Sequence, residues 1–231
     1  MKLSIIIPTL NEEKYLPGLL SEIERQNFKD YEIIVADGGS KDRTVEIAKK
    51  FGAKAVRGRL PAVGRNKGAC AARGDLFLFV EADTSLPERF LENSLEEFVK
   101  NNFGVATFRK VPNTDKTALK LIIFIYNLIE LVVPIGGMVI LAKKEIHEKL
   151  GGFNEAIKLG EDTDYLWRAR RLGVFGTIKS TKFLMSMRRF ETEGFLKTTL
   201  KYVAAGLYFL VFGFPKSDIF KYKFGHYKEK M

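Results

Sequence analysis

Continuous apolar runs alternate with helix-like patterns along the first third of the chain. Each run is short and rich in β-branched or aromatic residues, as in a strand that is buried on both faces of a sheet. Between the first two runs, Leu16, Leu19, Leu20 and Ile23 recur at the spacing of one helical face. This alternation predicts an α/β fold with a mostly parallel, twisted sheet and helices on both faces. The predicted strands are Lys2–Leu10, Tyr31–Ala36, Lys54–Arg57 and Leu76–Val80.

The remainder of the chain has a less regular pattern. Residues 192–231 predict fragments of strand and one apolar helix. No repeat, low-complexity tract or flexible linker divides the chain, and its 231 residues suit one large domain or two closely associated halves. Further predicted elements are helices from Glu88 to about Asn101, over Lys144–Leu150 and from Gly160 to Leu172, and strands over Val105–Arg109 and Met138–Ala142.

Charge and cysteine content narrow the possible partners and compartments. The net charge is +10, and lysines are concentrated in Lys197–Met231, which suits anionic lipid headgroups or a phosphorylated substrate. We do not expect nucleic acid as a partner, because no helix-turn-helix, zinc-finger or RNA-binding sheet motif accompanies the charge. The single cysteine, Cys70, is predicted to be a small buried helix residue and excludes an internal disulfide. Since no secretory signal pattern precedes the first strand, we expect a cytoplasmic location.

Two apolar segments raise the question of membrane contact. Leu119–Ala142 is interrupted by charged residues, proline and glycine, and Tyr202–Pro215 is shorter than the roughly 20 residues that a spanning helix needs. Neither segment is therefore predicted to cross a membrane. Each could pack in the core or lie peripherally at the inner face of the cell membrane. The core is favoured for the first segment, and the second is left open between the two.

Polar residues directly follow three of the predicted strands. Ligands of an open α/β sheet bind beyond the carboxyl ends of its strands, so these loops are expected to meet at one edge and form a binding site. Glycine in the second loop permits tight turning and a close approach of backbone to ligand. The loops contain Pro8, Thr9, Asn11 and Glu12 after the first strand, Asp37, Gly38, Gly39 and Ser40 after the second, and Glu81, Ala82 and Asp83 after the fourth.

The acids of these loops have both structural and chemical interpretations. Glu81 and Asp83 could be solvated acids of a surface turn, or they could share Mg²⁺ or Mn²⁺, which prefer oxygen ligands. Asp37 could cap the following helix, or it could accept a hydrogen bond from a nucleobase or ribose. Asp42 can also serve as the cap of that helix. The absence of both the dinucleotide-binding and the P-loop glycine motifs disfavours those two classes of nucleotide enzyme.

A third acidic centre lies at the start of a later helix. Glu161 and Asp162 follow Gly160, where acids interact favourably with the helix macrodipole. The functional interpretation is a general base that deprotonates an incoming hydroxyl.

Arginine and histidine residues supply further candidates. Arginine can bind a pyrophosphate in bidentate fashion and stabilise a leaving group, which makes Arg65 with its neighbour Asn66, and Arg188 and Arg189 in a predicted loop, candidate phosphate ligands. His147 is predicted on the exposed face of a short helix. In the basic tail, His226 could either reach a metal or phosphate or have no such role.

From about residue 3 to residue 175 the chain resembles the family 2 glycosyltransferases, which have the GT-A fold. Six motifs occur in the order typical of that family. They are SIIIPTLNEE (Ser4–Glu13), EIIVADGGSKDRT (Glu32–Thr44), GRNKG (Gly64–Gly68), GDLFLFVEADT (Gly74–Thr84), GGF (Gly151–Phe153) and GEDTDYLWRARRLG (Gly160–Gly173).

The resemblance implies a Rossmann-like nucleotide-sugar-binding half (1–112), an acceptor and catalytic half of the same domain (113–190) and a basic, aromatic-rich extension (191–231). Arg65 would support the diphosphate. Asp83 matches the metal-binding acid of the family's D-x-D motif, and Glu81 replaces its first acid, one methylene longer. The residues implied to hold a uridine or guanosine nucleoside are Pro8, Thr9, Asn11, Glu12 and Asp37. The predicted nucleotide-sugar site is completed by Gly38, Asn66, Ala82, Gly137, Arg188 and Arg189.

The resemblance also implies a mechanism. Asp162 aligns with the acid that serves as the base in inverting transfer, with Glu161 as its neighbour and possible substitute. Asp83 would bind Mn²⁺ or Mg²⁺. The implied function is metal-dependent transfer of a sugar, with inversion, from a nucleoside diphosphate sugar to a glycan or lipid-linked acceptor. The alternatives are a polyprenyl-phosphate sugar synthase at the membrane surface and a non-catalytic nucleotide-sugar-binding module; a nucleotidyltransferase is disfavoured.

Overall fold

The computed structural model describes residues 2–59, 61–132 and 136–214. This part of the chain forms one seven-stranded sheet with helices around it. The strands are β1 Leu3–Thr9, β2 Tyr31–Asp37, β3 Lys54–Arg57, β4 Leu76–Val80, β5 Val105–Pro112, β6 Val139–Lys143 and β7 Phe175–Met185. The helices are α1 Leu16–Glu24, α2 Thr44–Lys50, α3 Pro61–Ala71, α4 Phe90–Lys100, α5 Thr117–Val132, α6 Lys144–Lys149, α7 Glu161–Arg171, α8 Arg188–Glu193 and α9 Phe195–Phe212.

The order of the strands creates the site. The sheet runs β3-β2-β1-β4-β6-β5-β7, so the chain builds outward from β1 on one side and then crosses over to place β4 on the other. Neighbouring strands are parallel except that β6 is antiparallel to both β4 and β5. The predicted mostly parallel α/β sheet is therefore confirmed. Between β1 and β4 the connections diverge, and a crevice at the carboxyl ends of such strands is where open sheets bind ligands.

Apolar cores lie on both faces of the sheet. Successive side chains of β1 point to opposite faces, so Ile5 and Ile7 pack in one core while Ile6 packs in the other. The first core includes the buried face of α1, and the second includes α3. A Cβ atom on Gly68 would collide with the Ile6 side chain, so glycine lets α3 approach β1 closely. Burial on both faces explains the continuous apolar run of this strand.

Several sequence predictions need correction. Arg188 and Arg189 begin the short helix α8 and do not lie in a loop. Described residues after 191 form α8 and α9 and contain no strand fragments. The first apolar segment was expected in the core, yet its helix α5 has one buried face and one exposed apolar face. Residues 133–135 of that segment, and residues 215–231 with Pro215 and His226, lie outside the described residues.

Two side chains have the opposite burial to the predicted one. Cys70 is exposed, on the outer side of α3. His147 is buried among the rings of Phe77, Phe79 and Phe153, and its Nδ1 lies 3.1 Å from the Tyr165 hydroxyl. Burial, with the nearby charge of Arg168, lowers the pKa of His147 to about 4, so its imidazole is neutral near pH 7.

The predicted division of the chain at residues 112 and 190 stays a prediction. β5, β6 and β7 continue the same sheet that β1 to β4 begin, which agrees with two halves of one domain.

Candidate active site

The loops that follow β1 and β2 are tied together by their own side chains. Asp37 Oδ2 accepts hydrogen bonds from the backbone N–H groups of Gly39 and Ser40, both at 2.9 Å. Thr9 Oγ1 donates to Asp37 Oδ1 at 3.2 Å, and the N–H of Asn11 donates to Ser40 Oγ at 2.8 Å. The structure thus brings Thr9, Asn11 and Asp37 together as expected, with the Asp37 carboxylate stabilising its own turn.

The other predicted residues at the strand ends are Pro8, Gly38 and Ala82. Pro8 is buried in β1, and Ala82 is buried after β4. Gly38 donates its N–H to the carbonyl oxygen of Thr9 at 2.7 Å, and a Cβ atom there would lie 3.0 Å from the carbonyl oxygen of Arg59. Glycine at this position therefore permits the close approach of the loops.

A guanidinium group from α8 lies between two acids of the predicted donor site. Arg188 donates from Nη1 and Nη2 to the two carboxylate oxygens of Glu12, at 2.8 and 2.7 Å. Its Nε lies 3.0 Å from Asp83 Oδ2, and its guanidinium carbon lies 4.6 Å from the centre of the Tyr15 ring. Burial raises the pKa of Glu12, and Arg188 opposes that rise. Bidentate pairing of this kind fixes both charge and orientation, so α8 is anchored to the ends of β1 and β4.

A second arginine is the shared counterion of two more acids. Arg65 Nη1 donates to Glu161 Oε1 at 2.7 Å, and Nη2 donates to Glu81. The guanidinium carbon lies 5.2 Å from the centre of the Phe153 ring, and 4% of the Arg65 side chain is exposed. Burial disfavours its charge, but Glu81 and Glu161 outweigh burial and raise the pKa of Arg65. The side chain therefore stays cationic inside the protein.

Asp162 is oriented by backbone donors. Its Oδ2 accepts from the N–H of Gly137 at 2.7 Å, and its Oδ1 accepts from the N–H of Thr163 at 2.7 Å. Thr163 Oγ1 in turn accepts from the N–H of Gly136 at 2.7 Å. Gly160, which precedes α7, has a φ of +88°, a conformation that favours glycine. The predicted donor-site residue Gly137 thus lies against the predicted base.

Asn66 and Arg189 have their described contacts elsewhere. Asn66 Nδ2 donates to the carbonyl oxygen of Phe153 at 2.9 Å, and its Oδ1 accepts from the N–H of Phe153 at 2.8 Å. Arg189 Nη1 donates to the Tyr202 hydroxyl at 3.0 Å. These contacts tie the loop after α6 to α3 and tie α8 to α9. The donor-binding roles of both residues stay predictions.

Sequence reasoning missed a buried polar cluster beside Asp162. Lys110 Nζ lies 2.6 Å from Glu130 Oε2 and 4.5 Å from the centre of the Tyr126 ring. Burial raises the pKa of Glu130, Lys110 opposes the rise and Asp162 adds to it. One signal was present in the sequence: an acid in the middle of an apolar helix usually needs a buried partner.

The site holds more negative than positive charge. Five carboxylates interact around the two guanidinium groups of Arg65 and Arg188; they are Glu12, Glu81, Asp83, Glu161 and Asp162. Burial is the main cause that raises the pKa of Glu81 and that raises the pKa of Glu161 to about 7, with neighbouring acids adding to both. Arg65 opposes the rise in each case.

The raised pKa of Glu161 predicts a pH-dependent stability. The folded protein binds this proton more tightly than the unfolded chain, whose glutamate has a pKa near 4.5. The contribution is therefore complete below pH 4.5 and is lost as pH rises to about 7. The free energy of unfolding, measured with urea, should be lower at pH 7.5 than at pH 5. Glu161→Gln should make this difference smaller. An equal fall in both proteins would contradict this assignment.

The residues around Asp83 fit a metal held jointly with substrate. Within the described ranges, no three acidic, histidine or cysteine side chains are close enough to hold one ion. Mg²⁺ and similar cations, however, often bind through one or two carboxylates together with substrate phosphates and water. Asp83 offers one such carboxylate, 12% exposed, and Arg188 Nε now lies against it. A cation bound at Asp83 Oδ2 would therefore require Arg188 to move.

The sequence matches one family model and several known glycosyltransferases. Residues 4–153 match the model of Glycosyl transferase family 2. An uncharacterized glycosyltransferase of Haemophilus influenzae is 30% identical over 186 residues, which cover 71% of this chain and 60% of that protein. A PGL/p-HBAD biosynthesis glycosyltransferase of Mycobacterium bovis is 42% identical over 93 residues, 37% of this chain and 36% of its own. The chain thus spans less than two thirds of these relatives.

Solved structures share the fold at low sequence identity. Residues 1–349 of S. aureus TarS in complex with UDP-GlcNAc superpose with a TM-score of 0.66 and 20% identity, over 80% of this chain and 58% of that one. The mannosyltransferase PcManGT from Pyrobaculum calidifontis, in complex with GDP-Man and Mn²⁺, gives a TM-score of 0.69 and 20% identity over 88% and 64%. The expected GT-A fold is thereby confirmed. With more than half of its residues matched by the family model, the chain belongs to Glycosyl transferase family 2.

Proposed function

We propose that the chain transfers a sugar from a nucleoside diphosphate sugar to an acceptor hydroxyl, with a divalent cation and with inversion at the anomeric carbon. The observation that carries the proposal is the convergence of four acids from three separate segments on two arginines at the crevice between β1 and β4. Family membership and neighbours that bind UDP-GlcNAc or GDP-Man with Mn²⁺ support the same donor class.

The charge balance argues for a cation in the donor complex. A nucleoside diphosphate is itself anionic, and the site already has more carboxylates than guanidinium groups. Without added positive charge the diphosphate would be repelled. Asp83 would hold Mn²⁺ or Mg²⁺ jointly with the diphosphate, and the cation would neutralise charge on the leaving group.

Arg188 connects donor binding to the C-terminal helices. In the structure its guanidinium lies against Asp83 and Glu12. When Asp83 accepts a cation, Arg188 can turn from this carboxylate to a phosphate, which matches its planar fork equally well. Arg65 remains paired with Glu81 and Glu161 and compensates their negative charge.

Asp162 is the proposed base of the transfer step. The acceptor oxygen attacks the anomeric carbon, the bond from that carbon to the diphosphate oxygen breaks, and the diphosphate leaves with the electron pair. Asp162 takes the acceptor proton, held in position by the N–H groups of Gly137 and Thr163. Glu161 is not equivalent, because its carboxylate is paired with Arg65.

The proposed class of acceptor is a hydroxyl, on a glycan or on a lipid-linked molecule. A glycan or lipid-linked hydroxyl needs a base, whereas a polyprenyl phosphate is already ionised and does not. A nucleotide-sugar-binding module without catalysis would bind the donor and never cleave it.

A thermal-shift panel tests donor and metal together. UDP and GDP sugars with Mn²⁺ or Mg²⁺ should raise the unfolding temperature, because ligands that bind the folded state stabilise it by mass action. Asp83→Asn should weaken the cation-dependent part of donor binding on the order of tenfold or more, by loss of its charged ligand. Asp75→Asn, at the opposite end of β4, is the matched control. Stabilisation by none of these donors, or equal binding by Asp83→Asn, would contradict the proposal.

A further inference from the structure

Helix α5 exposes an apolar stripe to its surroundings. Leu121, Phe124, Ile125, Leu128 and Ile129 follow the spacing of one helical face and are 45% to 59% exposed. Isolated exposed apolar residues are common on protein surfaces, but a continuous stripe marks a surface for contact.

The opposite face of the same helix is mixed: Leu119 and Ile123 are buried in the apolar core, and polar side chains follow toward the C-terminal end. Glu130 pairs with Lys110, and Asn127 Nδ2 donates to the carbonyl oxygen of Lys110 at 2.8 Å. The Tyr126 ring lies against the Lys110 ammonium group. A helix on a water-exposed surface usually has polar side chains on its outer face. The outer face of α5 is thus more uniformly apolar than its inner face, which suits contact with an apolar medium.

Helix α9 exposes further apolar side chains. Leu200, Val203 and Val211 are 53% to 72% exposed, and Tyr202 is 39% exposed. Nine of the thirteen large apolar side chains that are exposed in the described part of the chain lie on α5 or α9. Tyr202 of α9 is near enough to the buried Tyr126 of α5 to add to the raised pKa of that phenol, which places the two helices on the same side of the protein.

Lysines border the apolar surface. Lys116 and Lys120 lie at the start of α5, and Lys197 lies at the start of α9, all three exposed. Residues 215–231, which lie outside the described residues, contain five lysines and two acids in sequence. Among the described residues, no helix has the combined length and apolarity that a bilayer span requires. Apolar faces bordered by lysine on helices that do not span fit the surface of an anionic bilayer.

We propose that α5 and α9 together dock the protein on an anionic lipid surface, with the apolar side chains in the acyl boundary and the lysines at the headgroups. Binding to lipid does not depend on the proposed transferase function. One consequence does: the inner face of α5 reaches Gly136 and the Asp162 region, so a lipid surface would lie about one helix diameter, roughly 10–12 Å, from the proposed base.

Vesicle co-sedimentation without substrate tests the proposal. The full chain should bind vesicles of phosphatidylcholine with phosphatidylglycerol at low salt, and bind vesicles of phosphatidylcholine alone more weakly. Phe124→Gln with Leu128→Gln should lower the partition coefficient about tenfold or more, because two large apolar side chains leave the lipid. Lys116→Gln with Lys120→Gln should weaken binding to the anionic vesicles only.

The matched control replaces equally exposed apolar residues elsewhere. Val99 on α4 and Leu172 after α7 are 57% and 42% exposed, so Val99→Gln with Leu172→Gln should leave vesicle binding unchanged. All replaced residues are exposed, and circular dichroism and urea midpoints should match the parent protein. Absence of vesicle binding, or equal loss in the control, overturns the proposal. The proposal is also overturned if the protein binds no vesicles and sedimentation velocity shows a dimer that Phe124→Gln with Leu128→Gln abolishes. A second copy of the chain would then cover this face.

Discussion

Asp162→Asn is expected to reduce transfer to a hydroxyl acceptor about 10²–10⁴-fold while donor affinity changes less than about twofold. The amide is the same size but cannot take a proton, and its oxygen can still accept from the N–H of Gly137 or Thr163. Single-turnover transfer and donor titration on the same preparation separate the chemical step from binding.

Asp164→Asn is the matched control, because it makes the same change two residues later on α7. Asp164 pairs with Arg168 one turn along the helix at 2.8 Å. We expect transfer by this variant within about twofold of the parent protein, as for a partly exposed ion pair. If Asp162→Asn were fully active with a hydroxyl acceptor, the base assignment would be wrong. Full activity with a lipid phosphate alone would instead indicate that the acceptor arrives already ionised.

The first part of the fold could be predicted from sequence because its signals are local. A strand buried on both faces, such as β1, gives a continuous apolar run, and its loop residues follow at once. The convergence of Glu12, Asp37 and Asp83 then follows from the rule that parallel strands end at one edge. The family resemblance added roles to these positions but not their contacts.

Later elements were harder to predict for identifiable reasons. β7 pairs Ile178 with Phe108 but Lys182 with Arg109, and this irregularity breaks the two-residue alternation that marks a strand. α5 has apolar residues on its outer face and part of its inner face, so periodicity cannot orient it. His147 lies in a short charged helix, and only the aromatic side chains packed around it reveal its burial.

Contacts distant in sequence could not be predicted at all. The pair between Glu12 and Arg188 joins residues 176 positions apart. Arg65 likewise reaches Glu161, 96 positions away, and in this structure serves as counterion where sequence implied a diphosphate ligand. Pairing of this kind depends on how helices pack on the sheet, which no local pattern specifies.

Arg65→Met is expected to lower the free energy of unfolding at pH 8 by about 3–5 kcal/mol. Methionine fills a similar volume beside Phe153 but leaves Glu81 and Glu161 buried without their shared cation. Both acids already have raised pKa values, and removal of the guanidinium, which opposes that rise, will raise them further. The folded variant will then hold protons that the unfolded chain releases, so its loss of stability should be smaller at pH 5 than at pH 8.

Urea unfolding at the two pH values measures this effect. Arg43→Met is the matched control, because Arg43 and Glu13 form an exposed pair at 3.4 Å and its loss should cost less than about 1 kcal/mol. Should the single variant fail to fold, Arg65→Met combined with Glu81→Gln and Glu161→Gln carries the test, since neutral amides remove the unpaired charge. We expect this triple variant to fold and to recover most of the lost stability. A triple variant no more stable than Arg65→Met at pH 8 would show that Arg65 stabilises the protein through packing and not through charge. The proposed role of Arg65 as the counterion of Glu81 and Glu161 would then be wrong.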